Sequence, residues 1–245
     1  MALLEQIKVL AFDADDTLWE NEPRFRAAER QVAQVISDYC DFPTMSAALY
    51  RIEVENMDDY GYGAKAFVLS MLQTALKLTG GALTGSQVGQ ILAIGRELLQ
   101  NPAHPLEGVE ETLKVLHALP DVRMVMLTKG DLLDQEHKIA RSGLAPYFDA
   151  IRIVSDKGQE EYRQLCREMG IRPEELMMTG NSFKSDIAPV LHLGGYGIHI
   201  PFEMLWALEE TEEFDHEHLY RIERFPQILD VLGISDPSGS GSTVR

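Results

Sequence analysis

The sequence predicts an α/β fold, a doubly wound parallel sheet with an inserted four-helix cap, and three observations point to it. Short apolar runs rich in β-formers recur at residues 7–12, 122–127, 150–154, 176–179 and 197–200. Helical patterns separate the last four runs from one another. Between the first run and the second, residues 20–105 read as helices alone. Strands alternating with helices pair in parallel, because a crossover helix returns the chain to the same end of the sheet.

The first run, IKVLAF, ends in Asp13, Asp15 and Asp16, three carboxylates in four positions. Carboxylates this crowded repel one another, and protonation or a cation relieves the repulsion. The insert follows at once. Trp19, Glu20 and Asn21 lie where the chain leaves the sheet and read as a hinge. Asn21 is placed to cap a helix with Pro23 in its first turn and Phe25, Ala28, Val32, Val35, Ile36 and Tyr39 on one face. A second helix is expected over residues 44–59, closed by Tyr60-Gly61-Tyr62-Gly63, and a third over 64–79, stopped by Gly80-Gly81. A fourth opens at Thr84, where Gln87 completes a capping box, and ends near Asn101-Pro102.

After Pro105 strands and helices alternate. A helix over 109–116 leads to the second strand, which ends in Thr128-Lys129-Gly130, and Asp131 caps a helix that closes at Gly143. The third strand ends in Ser155-Asp156-Lys157, and a helix runs on to Met169-Gly170. The fourth ends in Gly180-Asn181-Ser182, with Asp186 close behind. Strand ends in a parallel sheet open on one edge, where such sheets bind ligands, so Asp13, Thr128, Lys157 and Asp186 gather at one rim. The domain reading is a core of residues 1–19 and 106–234, a cap of 20–105, and a polar tail, 235–245, too poor in apolar residues to pack.

A chain of 245 residues with 45% hydrophobic content fills a core. No run approaches the length of a membrane span, and the N-terminus lacks a basic segment followed by a long apolar one. Cys40 and Cys166 show no ligand or redox spacing, which suits a reducing cytoplasm. A formal charge of −17 argues against nucleic acid or an anionic membrane as partner. An anionic substrate therefore needs a locally positive site.

Taken singly, a threonine after a strand is a helix cap and a lysine is a solvated charge. Taken together and in order, Asp13-Ala14-Asp15-Asp16-Thr17, Thr128, Lys157 and Gly180-Asn181-Ser182 through Asp186 resemble the four signature motifs of the haloacid dehalogenase (HAD) superfamily. The resemblance covers essentially the whole chain, since the helical insert sits where a capped, phosphatase-like subgroup carries its cap. It implies a Rossmann-like core and an acid/base role for Asp15. An aspartate at that position implies phosphate rather than halide chemistry. Asn181 is a departure, because many members place an aspartate there. An amide oxygen without charge brings weaker metal affinity, and a plain turn role for Asn181 stays open.

The chemistry of the residues agrees. Hydrolysing a phosphate monoester requires an aligned nucleophile, a proton for the leaving oxygen and positive charge around phosphorus. Asp13 can attack, and Asp15 can serve as acid and then as base. Mg²⁺ held by Asp13, Asp186 and the Asp15 backbone carbonyl offsets carboxylate charge, and Lys157 adds another cation. Thr128 and the amides around Ala14 and Gly130 can donate to phosphoryl oxygens. Lys65, Lys129, Gly130 and Asn181 are the expected substrate contacts, Lys65 because a cation near a helix start gains nothing from the helix dipole. Trp206 and the acidic run 209–213 read as surface or packing features. The expectation is a cytoplasmic, Mg²⁺-dependent phosphatase of a small phosphorylated metabolite. The alternatives are a phosphomutase and a catalytically idle binding relative.

Overall fold

In the computed structural model, which describes residues 3–234, the apolar run after the short helix α1 (Leu3–Gln6) becomes β1 (Val9–Phe12), completely buried in the sheet. Six strands stand in the order β3-β2-β1-β4-β5-β6 and all pair in parallel. They are β1, β2 (Arg123–Lys129), β3 (Ala150–Val154), β4 (Leu176–Gly180), β5 (Tyr196–His199) and β6 (Leu219–Arg221). The doubly wound parallel architecture is as predicted, with one strand more. β6 has three residues and follows an irregular stretch, so no alternation announces it. Strand order reverses beside β1, with β2 on one side and β4 on the other, and such a switch point opens a crevice at the carboxyl ends of the strands.

Alternation along β1 feeds two layers. Leu10 and Phe12 pack with Val109, Leu113 and Leu116 of α6 (Val109–His117) and with Ile228 of α10 (Gln227–Val231). Val9 and Ala11 face Tyr162 and Leu165 of α8 (Gln159–Met169) and Val190 of α9 (Ala188–His192). α7 (Leu132–Ser142) lies between β2 and β3 in sequence, capped by Asp131 and closed at Gly143 as anticipated.

Four helices fall between β1 and α6: α2 (Glu22–Val35), α3 (Phe42–Tyr60), α4 (Ala64–Leu78) and α5 (Gly85–Leu98). They enclose a core cluster of their own, with Val32, Ile36, Met45, Leu49, Met71 and Ile91 all 1% exposed or less. Each such side chain contributes about 1.5–3 kcal/mol of burial. The Thr84–Gln87 capping box forms as read from the sequence. Two starts differ. α3 opens at Phe42, ahead of the expected residue 44, because Asp41 caps it and accepts the Thr44 amide at 3.0 Å. Asn21 makes no side-chain cap on α2; the Asp16 carboxylate accepts the Asn21 and Glu22 amides instead, at 2.7 and 3.0 Å. Tyr39 lies beyond the end of α2 and is 46% exposed, so it is not on the buried face. The chain enters and leaves this group side by side, with Trp19 bridged to Pro105 and the Leu106 amide donating to the Leu18 carbonyl at 2.8 Å. The tail, residues 235–245, lies outside the described residues.

Candidate active site

Backbone pairing fixes where the nucleophile candidate stands. The Asp13 amide donates to the Thr179 carbonyl at 2.9 Å, so the ladder between β1 and β4 continues one residue past the strand and stops as the side chain enters the crevice. Asp186 arrives from a wide π-type turn, Phe183–Ile187, packed against the end of β4. Gly180 is what allows that approach, since a Cβ there would lie 2.2 Å from Asp186 Oδ2. The Tyr162 hydroxyl donates to the Ser185 carbonyl at 3.0 Å and braces the turn from behind.

Lys157, from the loop after β3, brings the two carboxylates together. Its Nζ donates to Asp13 Oδ1 and, at 2.9 Å, to Asp186 Oδ1. The Thr17 hydroxyl donates to Asp13 Oδ2 at 3.0 Å, and the Ser182 amide to Asp186 Oδ2 at 3.0 Å. All three charged groups are nearly inaccessible to solvent. The two carboxylates hold Lys157 firmly protonated, its affinity for the proton raised above the usual lysine range. Two carboxylates on one ammonium leave a negative charge over. Burial, opposed by Lys157 and reinforced by Asp186, pushes Asp13 up to about 7.

The other predicted residues fall into two groups. Asp15, Thr128, Lys129, Gly130 and Asn181 line the same cavity of about 540 Å³ as Asp13, Lys157 and Asp186. The Thr128 hydroxyl is buried without a hydrogen-bond partner among the described residues, an unused donor at the mouth of the crevice. Asn181 is tied to Thr17, whose hydroxyl accepts from its backbone amide at 3.1 Å and lies 3.3 Å from its Oδ1. Lys65 does not belong with them. It is absent from the cavity lining, and its ammonium pairs with Asp131 at 2.9 Å on the half-exposed side of α4. The expected anion donor at Gly130 is also corrected, because its amide is spent on the Val154 carbonyl at 3.1 Å. Gly130 is instead needed for its backbone, with φ at 143°, and for clearance from Gln135.

Several residues at the site were not anticipated. Lys138 of α7 is 2% exposed and donates to both Asp15 oxygens at 2.8 and 2.6 Å. Gln135 donates to Asp15 Oδ2 at 2.8 Å. Trp19, read as a hinge, is wholly buried and donates from Nε1 to Asp15 Oδ1 at 2.7 Å. Glu209, read as part of a surface run, is buried and accepts from Lys129, Ser182 and Ser185. Burial raises its proton affinity, but Lys129 and the two hydroxyls outweigh that and hold the carboxyl below its usual range. Trp206 lines the cavity and meets Tyr62 edge to face. α7 carried a signal for its part, since Gln135, Lys138 and Ser142 recur at helical spacing and form the buried stripe while Leu132 and Leu133 are exposed.

At this end of the cavity six carboxyl groups, from Asp13, Asp15, Asp16, Asp134, Asp186 and Glu209, face three ammonium groups, from Lys129, Lys138 and Lys157. The protein alone thus leaves the pocket negative. Among the described residues no three His, Cys, Asp or Glu side chains form a self-sufficient metal cluster. The set nevertheless fits a hard divalent cation that keeps most of its water, which takes one or two carboxylates and backbone oxygen. Asp13 and Asp186 converge within reach of one Nζ, and the Asp15 side chain is held elsewhere, leaving its carbonyl as the group to offer.

Comparison with known proteins extends the match to the whole chain. The glyceraldehyde 3-phosphate phosphatase of Methanothermobacter thermautotrophicus is 22% identical over 235 residues, which covers 92% of this chain and 100% of that protein. A phosphoglycolate phosphatase of Vibrio vulnificus is 24% identical over 242 residues, 94% of this chain and 98% of that one. The crystal structure of a haloacid dehalogenase-like family hydrolase from Xanthomonas campestris superposes with a TM-score of 0.83 at 36% identity, covering 93% and 92% of the two chains. Residues 7–194, from the first residues of the β1 run to the end of the helix after Asp186, match the haloacid dehalogenase-like hydrolases, and the chain belongs to that family.

Proposed function

We propose that the protein is a Mg²⁺-dependent phosphatase that hydrolyses a small phosphorylated metabolite through a phosphorylated Asp13. The observation that carries the reading is the meeting of Asp13 and Asp186 on Lys157 beside an unpartnered Thr128 hydroxyl. Curated relatives named as phosphatases match it over nearly the full chain.

Asp13 Oδ attacks phosphorus and the ester oxygen departs, so one difficult displacement becomes two easier ones. Asp15, two residues on, enters the first step as the carboxylic acid, gives its proton to the leaving oxygen and, now a carboxylate, takes one back from the attacking water. Lys138, Gln135 and Trp19 fix the orientation of its carboxylate, which shortens the search for a productive geometry. Thr128 donates to a phosphoryl oxygen, and Lys157 keeps the two buried carboxylates apart in charge while facing the transferring group. Asp13, Asp186 and the Asp15 carbonyl would hold the Mg²⁺. When bound it supplies the positive charge that lets a carboxylate approach a phosphate dianion.

Helices α2–α5, residues 20–105 in the domain division, act in this reading as a lid over the sheet rim, hinged where residues 18–19 and 105–106 run side by side. Such a lid excludes water from the phosphoryl enzyme until the alcohol has left. No described helix is long and apolar enough to cross a membrane, and the two free cysteines suit the cytoplasm.

The test is phosphate release from a panel of phosphorylated metabolites with Mg²⁺ and with a chelator. Accumulating phosphate that stops on chelation supports the reading. Turnover that persists without divalent ion removes the metal, and phosphate returned to a second position of a sugar, with none released, makes the protein a mutase.

A further inference from the structure

The reaction uses one end of the cavity and leaves the other unassigned. A cavity of about 540 Å³ is in the size range of pockets that enclose drug-sized molecules, about 300–1,000 Å³. A two- or three-carbon phosphate ester fills only part of it. The remaining wall carries two aromatic pairs. Tyr62, in the turn after α3, meets Trp206 with ring centroids 5.7 Å apart, and Phe25 of α2 meets Phe67 of α4 at 4.9 Å. All four side chains line the cavity.

Trp206 comes from the irregular segment after β5, outside the helical insert, and it is held from both sides. The Tyr62 ring meets the indole edge to face, and Glu53 on α3 lies close enough for the indole to favour its ionised form. Three residues on, Glu209 is anchored by Lys129, Ser182 and Ser185, and Lys184 donates to the Leu208 carbonyl at 2.7 Å. The ring is only half-buried. A tryptophan fixed at both ends with a face left toward a cavity presents a rigid apolar surface at little entropic cost, the usual construction of a ring-binding wall. Hydrogen-bonding capacity at this end is lopsided too. Glu22, Glu29 and Glu53 line the cavity, and Arg26 pairs with the first two at 3.2 and 3.3 Å. Three carboxyl groups thus gather around one guanidinium, which favours a ligand that brings hydrogen-bond donors and opposes one that brings a carboxylate.

We propose that Trp206 is a specificity-determining residue and that the ester taken by this cavity has a leaving alcohol bearing a flat ring with hydrogen-bond donors, covered by Trp206 and by the Phe25–Phe67 pair. The inference rests on the phosphatase reading and sharpens it, because it ranks ring-bearing esters above both the triose and the carboxylated two-carbon esters named for the relatives.

The experiment compares kcat/KM for a nucleoside 5′-monophosphate and pyridoxal 5′-phosphate with that for glyceraldehyde 3-phosphate and phosphoglycolate, in the wild type, Trp206→Ala and Trp206→Phe. In the wild type the ring-bearing esters are favoured at least about tenfold. Trp206→Ala lowers that preference about tenfold, and Trp206→Phe retains most of it. The ratio of two substrates is internal to each protein sample, so partial misfolding does not imitate the result. A wild type that prefers the small esters, or a preference unmoved in Trp206→Ala, overturns the inference while leaving the phosphatase reading intact. Absence of phosphate release from every ester overturns both.

Discussion

At the sheet end of the cavity the buried carboxylates have dedicated partners, Lys157 between Asp13 and Asp186, Lys138 on Asp15 and Lys129 on Glu209. At the helical end Glu22, Glu29 and Glu53 gather around the single guanidinium of Arg26. The consequences differ in kind. Dedicated partners hold reacting groups in one geometry, which positions a nucleophile and its acid. Shared and incomplete pairing leaves burial uncompensated, and it pushes Glu22 up to about 7 and Glu53 up to about 8. One end holds its reacting groups in place and keeps negative charge to spare for a cation; the other awaits hydrogen-bond donors.

The contrast can be broken at either end. Asp13→Asn removes the attacking oxygen while keeping the shape, and turnover should fall by at least about 10⁴-fold with the circular dichroism spectrum unchanged. Activity near wild type would refute the nucleophile assignment. Lys157→Met tests pairing itself, since Asp13 and Asp186 would then be buried without a counter-ion. We expect a loss of about 3–5 kcal/mol in urea unfolding, and an unchanged midpoint would show that the lysine does not hold the pair. Gly180→Ala is smaller in chemistry and sharper in geometry. The added methyl group collides with Asp186 Oδ2, and displacement of that carboxylate by about 1 Å should cost about 10²-fold in kcat.

The smallest effect belongs to the helical end. Burial first, then Glu22 and Glu29, raises Glu53 from 4.5 to about 8 against the pull of Arg26 and Trp206. A carboxyl whose folded value is raised binds its proton more tightly in the folded chain, so stability falls as pH climbs from about 4.5 to about 8. Glu53→Gln should flatten that decline and gain on the order of 1 kcal/mol on its alkaline side. Urea midpoints on both sides of the window measure it, and parallel declines in variant and wild type would show that Glu53 is not the source.

The same contrast marks what could be read without coordinates. The strands that carry Asp13, Thr128, Lys157 and Asp186 were legible because buried parallel strands are short apolar runs and their ends share an edge. Their supports were not. Glu209 sits in an irregular acidic stretch where neither period applies, and only folding brings it to Lys129. Asp16 looked like a third member of the acidic cluster. Its positive φ of 59° turns the carboxylate onto the amides that open α2, a local job hidden by its neighbours. Lys65 was misread on dipole grounds, because a cation disfavoured at one helix start found the capping carboxylate of another, Asp131.

The central claim is that Asp13 becomes phosphorylated. Rapid acid quenching of the protein during turnover of a ³²P-labelled ester, followed by peptide mapping, tests it most directly. Acid-stable, hydroxylamine-labile label on Asp13, absent from Asp13→Asn, is the result predicted here. Steady turnover of the same ester with no label on the protein, or with label on another residue, would contradict it.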